Sequence, residues 1–356
     1  MSFQVKAPGR VCLFGEHSDY LGLDVIPAAL DMSIQITASP RADMMIEIDY
    51  LDLKSMDSFS IEENIKYTGQ RDYLRSVFNV LSRRRMQPEC GWNLEVTGTI
   101  PIAAGLSSSS ALTIAGVAAV AHMSKKRIDT TTLAELAFEA EVAEFGESGG
   151  KMDHYTSAFG GLIHLEFGEN LQVTKLPAAP EGFVIGDSVE KKTNTVGDLR
   201  YIRETVEGMY AEFGKAMQDF DQKTTDLDRI LKHFPNADTL PKRMAKTTLM
   251  NRDLTRRALT LLQEKNPDPV TLGELIDKHH EYLRDGLNRS TSMIERLISA
   301  AKDAGALGCK INGSGGGGTM MAYAPNNEEE VAAAIRKAGG KPYIVKVGSG
   351  ATLTTM

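Results

Sequence analysis

Pro101-Ile-Ala-Ala-Gly-Leu-Ser-Ser-Ser-Ser-Ala-Leu112 sets a flexible glycine and four consecutive hydroxyls at the start of a long, small-residue apolar helix, Ser109 to Met123. A helix N-terminus offers unpaired backbone N–H groups and partial positive charge, which suits a phosphate. Gly105, Leu106, Ser107, Ser108, Ser109 and Ser110 are therefore the candidate phosphate contacts. One serine is enough to cap a helix. Four behind Pro-x-x-x-Gly-Leu exceed that need. No Gly-Lys-Ser/Thr follows, so this is no Walker A loop.

Outward from that stretch the first half reads as mixed α/β. Phe3–Lys6, Ser33–Ala38, Met45–Ile48 and Trp92–Gly98 have strand character, with a turn expected at Pro8-Gly9. Arg71–Arg85 and Thr131–Phe145 fit helices. Beyond Gly149-Gly150, 161–167 pairs with 171–176, and Phe183–Asp187 is a further strand. Residues 196–301 are mainly helical, broken at Pro235, Pro241 and the Pro267-Pro269 pair. Glu328–Lys337 is a helix and Tyr343–Val347 a closing strand. The change in texture near residue 180 divides the chain into units of 1–180 and 181–356.

A second glycine cluster, Lys310-Ile-Asn-Gly-Ser-Gly-Gly-Gly-Gly-Thr319, has five glycines in six positions. Glycine permits positive φ and close backbone approach. A plain hairpin requires one or two, so a surface shaped around a ligand, including Gly315 and Gly316, is expected. The third concentration is Ala7-Pro-Gly-Arg-Val-Cys-Leu-Phe-Gly-Glu-His-Ser-Asp-Tyr-Leu-Gly22. Arg10, Glu16, His17 and Asp19 stand there among apolar residues, as polar groups converging on a pocket do. The trio Glu16, His17 and Asp19 suits several hydroxyls of a polyol. Gly149-Gly-Lys-Met-Asp-His-Tyr155 places Asp153 where a carboxylate can orient or deprotonate a hydroxyl. His154 reads as a packed or surface histidine. Of Glu139, Glu141 and Glu144, one can reach a metal.

Composition narrows the classes. Forty basic against 47 acidic residues give a net charge of −7, which disfavours general nucleic-acid binding. No apolar run approaches the ~20 residues of a membrane helix. The first residues, MSFQVKAPGR, lack a secretory signal pattern, and Cys12, Cys90 and Cys309 form neither a disulfide framework nor a CxxC pair. A cytoplasmic protein, monomeric or homodimeric, is expected.

Taken together, the three motifs resemble those of the GHMP kinases, in the family's order and spacing across nearly the whole chain. APGRVCLFGEHSDYLG resembles motif one, PIAAGLSSSSAL motif two and KINGSGGGG motif three. The resemblance implies a two-domain fold: an N-terminal α/β domain of the ribosomal-protein-S5-domain-2-like type and a C-terminal α+β, ferredoxin-like domain. ATP and the acceptor bind between them. Within the family the first motif is most similar to galactokinase's GRVNLIGEHTDYNGG. That similarity places Arg10 on its catalytic arginine and Glu16, His17 and Asp19 on its sugar-hydroxyl ligands. GGKMDHY resembles CGIMDQ, placing Asp153 on the catalytic aspartate. Matching segment lengths put Glu141 on the family's Mg²⁺-binding glutamate, and Ser109 falls on the Mg²⁺-binding hydroxyl of the mevalonate branch.

The resemblance thus implies an ATP- and Mg²⁺-dependent kinase acting on a sugar hydroxyl, the anomeric one by the likeness to galactokinase. Departures exist: Leu21 and Leu23 replace Asn and Gly of the galactokinase signature, and His154 replaces its Gln. GSGGGG is closer to mevalonate kinase's GAGGGG. GKMDHYTSAFGG is also similar to a heptose-phosphate kinase segment, and Lys191–Thr195 only loosely echoes galactokinase's YNTRR. Mevalonate or a heptose phosphate as acceptor, and a non-catalytic sugar sensor, are the competing readings.

Overall fold

The computed structural model describes residues 1–61, 65–101, 104–178, 180–190, 192, 195–235 and 239–356. The first sheet takes β1 (Phe3–Phe14), β2 (Ile26–Pro40), β3 (Met45–Tyr50), β4 (Ser55–Ser60) and β5 (Trp92–Gly98). Helices α1 (Tyr73–Arg83), α2 (Ser108–Met123), α3 (Thr130–Phe138) and α4 (Met152–Phe159) form the layer that backs it. A π-turn, Glu139–Ala143, follows α3. The hairpin β6 (Ile163–Glu166) and β7 (Gln172–Lys175) stands apart as its own two-stranded sheet.

The second half begins with β8 (Phe183–Asp187) and then turns helical. It contains α5 (Thr195–Ala216), α6 (Leu227–His233), α7 (Leu240–Leu262), α8 (Pro269–Glu281) and α9 (Ser292–Asp303). Pro241 and Pro269 sit in the first turns of α7 and α8, where a missing N–H costs nothing. Then come β9 (Gly308–Asn312), β10 (Thr319–Tyr323), α10 (Glu328–Lys337), β11 (Lys341–Val345) and β12 (Thr352–Thr355). The second sheet runs β11-β8-β10-β9 and is antiparallel throughout, the ferredoxin-like order.

Two features of the first unit shape the site. Helix α2 is apolar on all sides, so it lies inside the core rather than on it. Gly116 lets Leu74 and Val77 of α1 press against it; a Cβ there would come within 2.8 Å of the Leu74 side chain. Strand β1 does not end at Pro8-Gly9, where a turn was expected. The ladder to β2 shifts register between Pro8 and Arg10, so the pair forms an irregularity within one strand. A Cβ at Gly9 would lie 2.7 Å from the Leu106 carbonyl, and that carbonyl accepts the Arg10 N–H at 3.1 Å. The glycine thereby brings Arg10 against the serine-rich segment. The first sheet is completed by the last strand: β12 pairs with β1, giving the order β12-β1-β2-β5-β3-β4. Among the described residues, no helix is long and apolar enough to cross a membrane.

Candidate functional site

The three motifs meet in one cleft of about 330 Å³. Its wall takes Arg10 from β1, Gly105 and Ser107–Ser110 from the start of α2, and Asp153 from α4. Gly313 and Ser314 come from the β9–β10 loop. Residues far apart in sequence are thus placed by four different elements.

At its centre Arg10 and Asp153 form a bidentate pair. Nε donates to Oδ1 at 2.6 Å and Nη2 to Oδ2 at 2.9 Å. The remaining Nη1 donates to the Gly105 carbonyl at 2.8 Å, tying the pair to the serine segment. Ser107 does not cap α2. Its φ of 59° turns the hydroxyl away from the helix, and Oγ donates to Asp153 Oδ2 at 2.5 Å. The first-turn amides of α2 thus receive no cap from the Ser107 side chain.

Deeper along α2, Glu141 is buried in the π-turn, where it accepts His154 Nε2–H at 2.7 Å and Thr113 Oγ1–H at 3.3 Å. Burial would raise its carboxyl, but His154, Ser109 and Ser110 outweigh burial and hold it low. The result is an ionised carboxylate beside a serine hydroxyl, with a histidine behind it. Such an oxygen pair, oriented from behind, suits a hard cation held mostly by phosphate and water.

The loop after β1 supplies the other wall. Glu16 Oε2 accepts Lys310 Nζ–H at 3.0 Å and the Gly313 N–H at 2.9 Å. Burial opposes its ionisation, yet Lys310 and then Arg10 hold it at about 2. His17 Nδ1 meets the Tyr20 hydroxyl at 2.8 Å, while the buried Nε2 has no partner among the described residues. Burial pushes this imidazole down to about 3, so it is neutral. Asp19 Oδ2 accepts the Met152 N–H at 3.2 Å. Burial, then the facing Asp153 carboxylate, push Asp19 up to about 6.

That value gives a testable pH dependence. Asp19 is charged above about pH 6 and neutral below it, so kcat/KM for an acceptor read by its carboxylate falls as pH drops through about 6. Asp19→Asn lowers kcat/KM throughout and removes that acid limb; an unchanged limb in the variant would assign it to another group. Gly150 provides a second test. A Cβ there would sit 1.9 Å from Asp19 Oδ2 and 2.2 Å from its Cγ. Gly150→Ala must therefore push Asp19 aside, and a raised acceptor KM with little change in nucleotide affinity is expected from steady-state kinetics.

Several candidates lie elsewhere than the sequence suggested. Leu106 is a core residue whose carbonyl, not its side chain, meets Arg10. Gly315 and Gly316 do not line the cleft: they fold against Arg289, whose carbonyl accepts the Gly316 N–H at 2.8 Å, while Gly313 and Ser314 face inward. His154 is packed, the first of its two expected readings, and in addition its Nε2 meets Glu141 at 2.7 Å. In the Lys191–Thr195 segment, residues 191, 193 and 194 lie outside the described residues, as do 102 and 103 of the serine motif.

Sequence reading missed Lys310 and Asn312. Lys310 is fully buried and donates to the Cys12 carbonyl at 2.7 Å as well as to Glu16. Asn312 Oδ1 accepts the Cys12 N–H at 3.0 Å, and its Nδ2 donates to the Gly105 carbonyl at 2.8 Å. One strand end therefore anchors both the acceptor loop and the phosphate loop. The available signal was a lysine set between the apolar Cys309 and Ile311.

Family models match three parts of the chain: "GHMP kinases N terminal domain" over 72–161, "GHMP kinases C terminal" over 258–341, and "Galactokinase galactose-binding signature" over 2–40. The chain is 30% identical to a mevalonate kinase of Thermococcus onnurineus, covering 98% of this chain and 96% of that one. It is also 30% identical to a galactokinase of Thermotoga neapolitana, over 88% and 86%. In fold it is similar to Lactococcus lactis galactokinase complexed with galactose, with a TM-score of 0.88 at 21% identity over 99% and 95% of the two chains. Methanococcus jannaschii mevalonate kinase gives 0.76 at 20%, over 97% and 98%.

Proposed function

The chain belongs to the GHMP kinase family and is a phosphotransferase, and we propose that it moves the γ-phosphoryl of ATP onto a hydroxyl of a neutral sugar. The observation that carries the acceptor class is the charge of the inner wall. Glu16 is neutralised by Lys310 and Asp153 by Arg10, Asp19 has no cationic partner among the described residues, and His17 is neutral, so the unpaired charge on this wall is a carboxylate. A neutral polyol finds acceptors and a histidine nitrogen there. A carboxylate such as mevalonate meets like charge. The galactose-binding signature over residues 2–40 supports the same choice, and the galactokinase resemblance supports the anomeric hydroxyl as the site of transfer. Two folding units meeting near residue 180 fit this reading, with β12 returning to the first sheet.

Phosphoryl transfer asks mainly for positioning and charge neutralisation. In this reading the amides of Gly105 and Ser107–Ser110 hold the donor phosphates at the α2 N-terminus. Ser109 and Glu141 hold Mg²⁺, which offsets phosphate charge when bound. Asp153, pinned by Arg10 and Ser107, orients the acceptor hydroxyl and takes its proton as the P–O bond to the acceptor forms and the bond from the γ-phosphorus to the bridging oxygen breaks, releasing ADP. Arg10 holds Asp153 in place through two hydrogen bonds and faces the transferred charge. Glu16, His17 Nε2 and Asp19 fix the remaining hydroxyls.

The test is ADP release with Mg-ATP against galactose, other neutral sugars, uronic acids, heptose phosphates and mevalonate. Turnover strongest on a neutral sugar is expected. A mevalonate kinase matches 98% of this chain, so turnover strongest on mevalonate is the outcome that replaces the sugar reading. Sugar binding without ADP release makes the protein a sensor.

A further inference from the structure

After β8, residues 188–190 form a short strap tied to the second unit. Ser188 fastens it: its N–H and its Oγ–H both donate to the Gly318 carbonyl, at 2.8 and 2.7 Å. Glu190 fastens it again, accepting the Thr291 hydroxyl at 2.6 Å. The strap then delivers Lys192 into the cleft.

The Lys192 amine lies between the two glycine-rich loops. A Cβ on Gly105 would come within 2.7 Å of Nζ, and a Cβ on Gly318 within 2.4 Å of Cε and 3.0 Å of Nζ. The absence of side chains at these two positions is what admits the lysine. Its one hydrogen bond among the described residues is to Ser314 Oγ, at 3.1 Å, and no carboxylate there pairs with it. Lys192 is half-buried, and a partly desolvated ammonium without a counter-charge is costly unless something compensates it. The amine also lies toward the Arg10 end of the serine segment, since Gly105, which it abuts, gives its carbonyl to Arg10.

We infer that Lys192 is a phosphate clamp: its ammonium binds the terminal phosphoryl group of the nucleotide across the two glycine loops, opposite Arg10. This deepens the phosphotransfer reading and rests on it. The bland alternative is a lysine that merely packs the strap onto Ser314. That role involves no preference for triphosphate over diphosphate. The clamp requires one, because its target is the phosphoryl that ADP lacks. The chemistry agrees with the ammonium's surroundings. Burial, with Arg10 and Arg289, lowers the Lys192 amine to about 8, against the opposing pull of Glu16 and Asp153. It therefore carries its proton below about pH 8 and loses it above.

The experiment compares wild type with Lys192→Met and Lys192→Gln, by calorimetric titration with ADP and with a non-hydrolysable ATP analogue. Loss of one charge-assisted contact is expected to weaken the analogue by about 10- to 100-fold and leave ADP affinity unchanged. Retained ADP affinity also shows that the variants fold. In wild type, analogue affinity is expected to fall as pH rises through about 8, and that limb vanishes in Lys192→Met. Equal losses for ADP and analogue, or no loss for either, would overturn the clamp while leaving wild-type turnover intact. Wild type that binds neither nucleotide would overturn the phosphotransfer reading, and the clamp with it.

Discussion

Asp153→Asn lowers turnover by about 10²- to 10³-fold, the usual loss when a charge-stabilising group is removed from an active site. Nucleotide affinity stays at the wild-type level. The residue stands at the start of α4, and among the described residues no backbone amide of the serine segment bonds to it, so the amides proposed to hold the donor phosphates keep their geometry without its charge. Its two oxygens accept from Arg10 and one also accepts from Ser107. Asparagine has the same shape but one acceptor oxygen, and its NH₂ faces either the guanidinium or the serine hydroxyl. The acceptor hydroxyl then has no carboxylate to receive its proton. Single-turnover kinetics and ADP titration separate the two effects. Lost ADP binding with retained turnover would place Asp153 in the nucleotide site instead.

Arg10→Met has the second large effect, and it reaches stability as well as rate. All of the arginine's directed contacts are internal: two to Asp153 and one to the Gly105 carbonyl. The side chain is 7% exposed and that of Asp153 26%. Breaking a buried pair costs about 3–5 kcal/mol, and the partial exposure of Asp153 places this case at or below the low end. Turnover is expected to fall at least as far as in Asp153→Asn, because Asp153 loses its anchor and the transferred charge loses its cation. Arg10→Lys keeps the charge but not the fork, and falls between. Urea unfolding and ADP release measure both consequences. A variant with wild-type midpoint and rate would show the pair to be idle.

How much of this was readable in the chain depends on the kind of signal. Helices α1, α2 and α10 and strands β5 and β8 carry strong local periodicity or apolar runs, and the structure has them within a residue or two. Strand β4, SMDSFS, is a polar sheet edge with one buried residue, so no alternation marks it. Strand β12, TLTT, is exposed and exists only because β1 offers an edge. Pro8-Gly9 carried the signature of a turn, yet the structure absorbs it as an irregularity that admits the Leu106 carbonyl.

The site divides in the same way. Arg10, Glu16, His17, Asp19, Ser107–Ser110 and Asp153 stood out because polar residues clustered in apolar or glycine-rich surroundings, whereas only the family resemblance picked Glu141 from among Glu139, Glu141 and Glu144. The structure brings them to one cleft. Lys310, Asn312 and Lys192 act across separations that no local pattern encodes. Lys310 reaches Glu16 from 294 positions away, and Asn312 reaches Gly105 from 207. Their roles come from the way the second sheet docks its β9 end between the acceptor loop and the phosphate loop.

The central claim is that a wall of three carboxylates and a neutral histidine selects a neutral sugar over an anionic acceptor. The most direct test offers galactose and mevalonate together at equal concentration with limiting Mg-ATP, and identifies the product by ³¹P NMR. A sugar phosphate whose phosphorus couples to the anomeric proton is the expected result. Phosphomevalonate as the main product would contradict the account.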